Sequence, residues 1–196
     1  MTSSTTKIIL ASSSVYRKEL LGRLHIPFET ASPDVDETQL TGETPSELVR
    51  RLSLIKAQAI AASNPDAIII GSDQVASCEG TILGKPGNYD NAVKQLKMVS
   101  GKTVIFHTGL SVLDANAKSV QTEEEQIHVE FKTLSEECIK SYLEKEPAFN
   151  CAGSFKSEGL GIALTQRISE NDPTALIGLP LIKLTQMLEN IRYPVL

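Results

Sequence analysis

The run Ala67-Ile-Ile-Ile-Gly-Ser-Asp-Gln74 carries an acid directly behind a stretch of apolar residues. A carboxylate in that position is costly unless something pairs with it, which makes Asp73 the first candidate for chemistry. Three more acids, Asp34, Asp36 and Glu37, crowd a single loop. Such acids suit Mg²⁺, which takes one or two carboxylates together with the oxygens of a phosphorylated substrate. Each loop acid taken singly also reads as a solvated turn former. Cations that could meet a phosphorylated substrate are present too. Lys56 stands between Ile55 and Ala57 in a helical pattern, either partly buried or snorkelling. Lys85 is held between Gly84 and Pro86, a fixed backbone suited to aiming an ammonium, although the tripeptide alone is also an ordinary turn.

Ser12-Ser-Ser14 precede a helix whose first turn holds Arg17. A helix N-terminus offers unpaired N–H groups to anions, and arginine adds a two-pronged fork for phosphate oxygens. Serines capping a helix beside a surface arginine is the plainer reading. No activated nucleophile is apparent. Cys151 has no base near it in sequence, and His107, inside an apolar strand, reads as structural. Metal-assisted attack by water fits these residues better than covalent catalysis.

The elements that must position these groups follow from periodicity and caps. Lys7–Ala11 reads as a buried strand, followed by a helix from Ser14 to about His25 with Leu20, Leu21 and Leu24 on one face. Pro27–Ala31 is a second strand. Thr44-Pro-Ser-Glu47 combines a cap, a proline at the first helical position and a capping box, and the helix it starts runs to about Ser63. Ala67–Ile70 is an all-apolar strand of the kind buried on both faces of an α/β sheet, so Asp73 is expected just beyond its carboxyl end, where such sheets bind ligands. Glu79-Gly80 turns a hairpin back through Thr81–Leu83, and Asn88 caps a helix to about Val99. Thr103–Asp114 and Ser119–Lys132 form an antiparallel pair. Further helices run from Ser135 to Pro147 and from Gly178-Leu-Pro180 to about Asn190. The order predicts an α/β fold with a mixed, twisted sheet flanked by helices, in one domain over residues 1–196.

Composition sets the outer limits. With 41% hydrophobic and 22% charged residues in 196, the chain is an ordinary globular one. Its net charge of −5 argues against a general nucleic-acid binder but leaves room for a small anion in a locally basic cleft. Three scattered cysteines without C-x-x-C spacing and three unclustered histidines predict neither a disulfide framework nor a structural zinc site. No run approaches the ~20 apolar residues of a membrane span. The opening MTSSTTKIILASSS makes a poor secretory leader, so a cytoplasmic location is expected.

Read together, Leu10-Ala-Ser-Ser-Ser-Val-Tyr-Arg-Lys-Glu-Leu-Leu21, Asp34-Val-Asp-Glu37, Lys56-Ala57, Gly71-Ser-Asp-Gln74, Gly84-Lys-Pro86 and Cys151-Ala-Gly-Ser-Phe-Lys-Ser-Glu-Gly159 resemble the Maf family of nucleotide pyrophosphatases. Asn171-Asp-Pro-Thr174 and Ile177-Gly-Leu-Pro180 extend the likeness over nearly the whole chain. Gly-Ser-Asp-Gln and Ser-Phe-Lys-Ser-Glu-Gly are similar to the YceF-like branch, associated with 7-methyl-GTP; members acting on dTTP and UTP carry Ala-Asp-Thr at the former site. The resemblance implies two lobes around a substrate cleft, a divalent metal (Mg²⁺ or Mn²⁺), a homodimer, and hydrolysis of a nucleoside triphosphate to the monophosphate and diphosphate. It implies that Asp73 is the catalytic acidic residue, either taking the proton from water or holding with Glu37 the metal that acidifies it. It also implies that Tyr16, Gln74 and Glu158 select the base, and that Ser14, Arg17, Lys56, Lys85 and Lys156 meet the phosphates. Val15 stands where the family commonly has proline, and Tyr16 where this branch often has tryptophan. The same reaction on dTTP, UTP or another modified nucleotide, a non-catalytic nucleotide-binding regulator of cell division, and an RNA-cap binding module are the alternatives. The mostly apolar tail Ile191–Leu196 could join a subunit interface or fray.

Overall fold

The computed structural model describes residues 6–169 and 172–196. Its spine is β3 (Ile68–Cys78), which runs parallel to β1 (Ile8–Ala11) on one side and antiparallel to β5 (Thr103–Asp114) on the other. Beyond β1 lies β2 (Glu29–Ala31), and beyond β5 lie β6 (Ser119–Phe131) and β7 (Thr165–Ile168), giving the order β2-β1-β3-β5-β6-β7. A short β4 (Thr81–Leu83) folds back on the end of β3. The expected mixed α/β sheet is present, with one correction. The strand expected to stop at Ile70 continues for eight more residues, because β5 pairs with it from Ile68 through Ser77. That ladder outweighs the poor strand propensity of Gly71, Ser72 and Asp73. Asp73 therefore sits inside a strand, two residues past the last one that β1 pairs.

Helix α1 (Val15–Gly22) is capped by Ser14, and α2 (Pro45–Ala61) begins with the expected capping box between Thr44 and Glu47. Then come α3 (Tyr89–Val99), α4 (Glu136–Lys145), a short α5 (Pro173–Ile177) and α6 (Leu181–Asn190). Periodicity over so few residues gave no sign of α5. Its start is fixed by Asp172, whose carboxylate accepts from the Thr174 backbone and, through its other oxygen, from the Ile182 N–H at the head of α6. Asn171, the first residue of the motif around it, lies outside the described residues.

Residues of even number on β3 and β5 face one side of the sheet, and there the core divides in two. Ile68, Ile70, Leu110 and Val112 pack with α1 and α6, whereas Ala76, Cys78, Val104 and Phe106 pack with α3, α4 and the 148–164 segment. Between the two clusters the same face turns polar. Ser72 donates to the Gly178 carbonyl, Thr108 to that of Ala175, and Gln74 to those of Ala175 and Leu176. Two lobes thus share the long strands, with α5 strapped across their waist. The opposite face is covered by α2. Of the tail, Ile191, Tyr193 and Val195 pack against the first lobe, while Leu196 is fully exposed. Among the described residues no helix is long and apolar enough to cross a membrane.

Candidate active site

On the edge facing β1, β3 is paired by β1 as far as Gly71 and by β4 from Ala76. Ser72 to Val75 have no strand neighbour there, so the sheet itself opens a mouth between the lobes beside Asp73.

What Asp73 meets is decided by two glycines. A Cβ on Gly71 would lie 2.1 Å from the Ser53 carbonyl oxygen, and one on Gly109, directly across from Asp73, would lie 2.1 Å from that of Val49. Without side chains at these positions α2 settles almost onto the sheet, and Ser53 and Ser111 join hydroxyls at 2.9 Å. Lys56, one helical turn beyond Ser53, is thereby brought onto Asp73. Its Nζ lies 2.6 Å from Asp73 Oδ1 and 2.8 Å from Glu37 Oε1. Lys56 is 5% exposed and Asp73 6%, so Lys56 is buried rather than snorkelling. Glu37 reaches in from an exposed loop that Arg51 fastens to α2. The guanidinium of Arg51 donates to both oxygens of Glu43 and, at 3.0 Å, to the Thr38 carbonyl. Asp36 is spent on the Thr38 N–H and Asp34 is exposed, so of the loop acids only Glu37 joins the cluster.

Arg17 borders the same mouth from α1. Its Nε donates to the Gly178 carbonyl at 2.8 Å, and its terminal nitrogens bond no other described residue. Burial lowers its pKa, while Asp73 and Glu37, the next causes, raise it, which places the guanidinium within their field. Gly178 suits this corner because its φ of +123° is a backbone conformation that residues with a Cβ rarely adopt. Ser14 caps α1 through its hydroxyl. Lys85 is exposed on the loop after β4, which Gly84 and Gly87 tie to Gly153 and Phe149 by backbone bonds.

Tyr16, Lys156 and Glu158 form a second group. The Tyr16 phenol is raised by burial and then by Cys151, and it lies within the field of Lys156, Glu158 and Glu146 as well, so the start of α1 is near the 151–158 segment. Lys156 is bound at 2.7 Å to Glu146, a partner its sequence gave no sign of. Gln74 stands apart from Asp73: neighbours on a strand point to opposite faces, and its amide grips α5 and Thr108 on the far side.

Sequence reasoning also passed over a buried chain of Ser77, His107 and Glu124. His107 Nε2 lies 3.0 Å from the Ser77 hydroxyl, and Nδ1 lies 2.8 Å from Glu124. Glu124 accepts in addition from Ser46 on α2 and from Gln126. These are relay distances, but Ser77 and His107 are 7% and 6% exposed, with Ser46 of α2 bonded into the same network. The trio ties β3, β5 and β6 to α2, in keeping with a structural His107. Only the strand register could have revealed it.

The profile of the Maf-like protein family matches residues 7–191. The chain belongs to the Maf family. It is 51% identical over 189 residues to a 7-methyl-GTP pyrophosphatase of Nitrosococcus oceani, covering 96% of this chain and 95% of that one. Over 183 residues it is 51% identical to a 7-methyl-GTP pyrophosphatase of Albidiferax ferrireducens, covering 93% and 92%. The solved structure of a HAM1 protein from Coxiella burnetii matches with a TM-score of 0.57 at 16% identity, over 95% of this chain and 100% of that one, a likeness of fold.

In this Maf chain the acids fit a divalent cation that relies on its substrate for ligands. Asp73 and Glu37 converge on one ammonium, so their oxygens already share a cation. Among the described residues no three His, Cys, Asp or Glu side chains gather. Mg²⁺ uses such sparse protein sites, completing its shell with phosphate oxygens and water.

Proposed function

We propose that this chain hydrolyses 7-methyl-GTP to 7-methyl-GMP and diphosphate, removing a modified nucleotide. The observation that carries the reading is the Asp73–Lys56–Glu37 cluster at the unpaired edge of β3, in a chain half identical to proteins named for that reaction.

The triphosphate lies along the mouth, met by the free nitrogens of Arg17 and by Lys85. The attacking water bonds through its oxygen to the α-phosphorus and gives its proton to Asp73. The bond from that phosphorus to the α–β bridging oxygen breaks, and diphosphate leaves with the electron pair. Asp73 and Glu37 would hold Mg²⁺ or Mn²⁺, which when bound supplies charge neutralisation for the triphosphate and its leaving group. Lys56 offsets the two acids and keeps Asp73 aimed at the open edge.

The base lies against the second group. N7-methylation makes guanine cationic, and the face of the neutral Tyr16 ring attracts it. The Glu158 carboxylate accepts from guanine N1–H and the 2-amino group, a donor pair that thymine and uracil lack. The proposal includes a cytoplasmic location and a homodimer, with neither nucleic acid nor membrane as partner.

Diphosphate release from 7-methyl-GTP, GTP, dTTP, UTP and CTP with Mg²⁺ tests this. The expected result is preference for 7-methyl-GTP and loss of turnover in Asp73→Asn with binding kept. Preference for dTTP or UTP would overturn the base assignment, and no release from any of them would overturn the reaction.

A further inference from the structure

Glu146, just past the end of α4, is bonded to both ends of the loop that carries Glu158. One oxygen takes Lys156 Nζ at 2.7 Å and the other takes the Leu160 N–H at 3.2 Å. The carboxylate also fills the space over Gly159, where a Cβ would stand 2.3 Å from its Oε2. One turn earlier on the same helix face, the Tyr142 hydroxyl accepts from the Lys156 N–H and donates to the Ser154 carbonyl, both at 3.2 Å. Within the loop the Lys156 carbonyl accepts from the N–H groups of Gly159 and Gly161, which closes it into a preformed turn. Such a turn moves as a unit, and its orientation is set from α4. Of the loop's charged groups, only Glu158 is left exposed, with a single 3.3 Å contact from Ser157.

We propose that Glu146 is a positioning residue for base selection: by clamping residues 156 to 160 it presents the Glu158 carboxylate to the space facing Tyr16. Lys156 serves the clamp, with its charge matched by Glu146, rather than the phosphates. The inference rests on the proposed base contacts of Tyr16 and Glu158. A solvent-exposed ion pair usually contributes little to stability. This carboxylate is engaged at both ends of one five-residue turn, so its loss is felt in orientation more than in folding.

The test compares kcat/KM for 7-methyl-GTP with that for UTP, which lacks the donor pair Glu158 would read, in the wild type, Glu146→Gln, Lys156→Met and the double variant, with melting curves as a check on folding. Glu146→Gln keeps the shape and loses the charge. It is expected to lower the ratio by about tenfold, chiefly through KM for 7-methyl-GTP, as for a lost polar orientation in a specificity site. The double variant should be no worse in that ratio than either single one, because both substitutions break the same clamp. Equal losses on both nucleotides, an unchanged ratio or additive losses would overturn the inference while the wild-type preference stands. A wild type that does not distinguish the two nucleotides would overturn the proposed substrate and this inference together.

Discussion

The α-carbon of Gly71 faces the Ser53 carbonyl so closely that a single methyl group would stand 2.1 Å from that oxygen and 3.0 Å from the Ala57 nitrogen. Both neighbours are helix backbone and cannot swing aside, so Gly71→Ala must lift α2 from β3. Overpacking of this kind costs about 1–3 kcal/mol. The same displacement draws Lys56 away from Asp73, so turnover should fall further than stability alone explains. Thermal unfolding and kcat measured on one preparation check this. A variant that melts lower but keeps the wild-type kcat would show that close packing of α2 is not what sets the site.

Lys56 and Asp73 are not equivalent partners. Without Asp73, Lys56 keeps Glu37 at 2.8 Å. Without Lys56, the buried Asp73 carboxylate faces Glu37 with no ion pair of its own among the described residues, and Arg17 and Arg51 act on it only through their more distant charges. Removing one member of a buried pair costs about 3–5 kcal/mol when the other is left uncompensated. Lys56→Met should therefore destabilise the protein markedly more than Asp73→Asn, while Asp73→Asn is expected to cost about 10²–10⁴ in kcat. Denaturant midpoints of the two variants decide the first point, and equal midpoints would count against the pairing.

Local signals were enough for much of this. The capping box at Thr44, the Ser14 cap and the apolar runs located α1, α2 and β1 within a few residues, because caps and periodicity act over one or two turns. Asp73 and Lys56 stood out as charges in apolar surroundings. What was hidden depends on register and close approach. The extension of β3 past Gly71 is held by β5, from Ser72 opposite Leu110 to Ser77 opposite Ile105, far along the chain. The separation of Gln74 from Asp73 follows from strand alternation once that extension is known. The pairing of Lys156 with Glu146 spans a helix end and a loop, where no spacing rule applies.

Arg51 holds the acidic loop through two contacts on Glu43 and one on the Thr38 carbonyl, next to Glu37. Arg51→Met releases that loop without touching Asp73. The Mg²⁺ concentration giving half the maximal rate should rise several-fold, with a stability loss of about 1–2 kcal/mol from the lost charged hydrogen bonds. Arg51→Lys should recover little, because an ammonium cannot span carboxylate and carbonyl as the planar fork does. Rates across a Mg²⁺ titration measure the effect. An unchanged Mg²⁺ midpoint would separate Arg51 from the site.

The three cysteines report on the second group without any substrate. Cys138 is exposed, Cys78 is buried, and Cys151 borders the mouth beside Tyr16 and Glu158. Burial, and after it the Glu158 carboxylate, pushes the Cys151 thiol up to about 11. A raised thiol pKa means that the neutral form persists: at pH 8 only about 10⁻³ of Cys151 is thiolate, the form that reacts. Ellman's reagent at pH 8 should therefore modify Cys138 quickly and Cys151 slowly. The Cys151 rate should rise about tenfold per pH unit between pH 7 and 9, since each unit multiplies the thiolate fraction by that factor. Glu158→Gln removes a negative charge that disfavours the thiolate, so it should lower the Cys151 pKa and raise its rate at fixed pH. Cys151 reacting at pH 7 as fast as Cys138 would contradict its burial. An unchanged rate in Glu158→Gln would remove Glu158 from the space facing Tyr16.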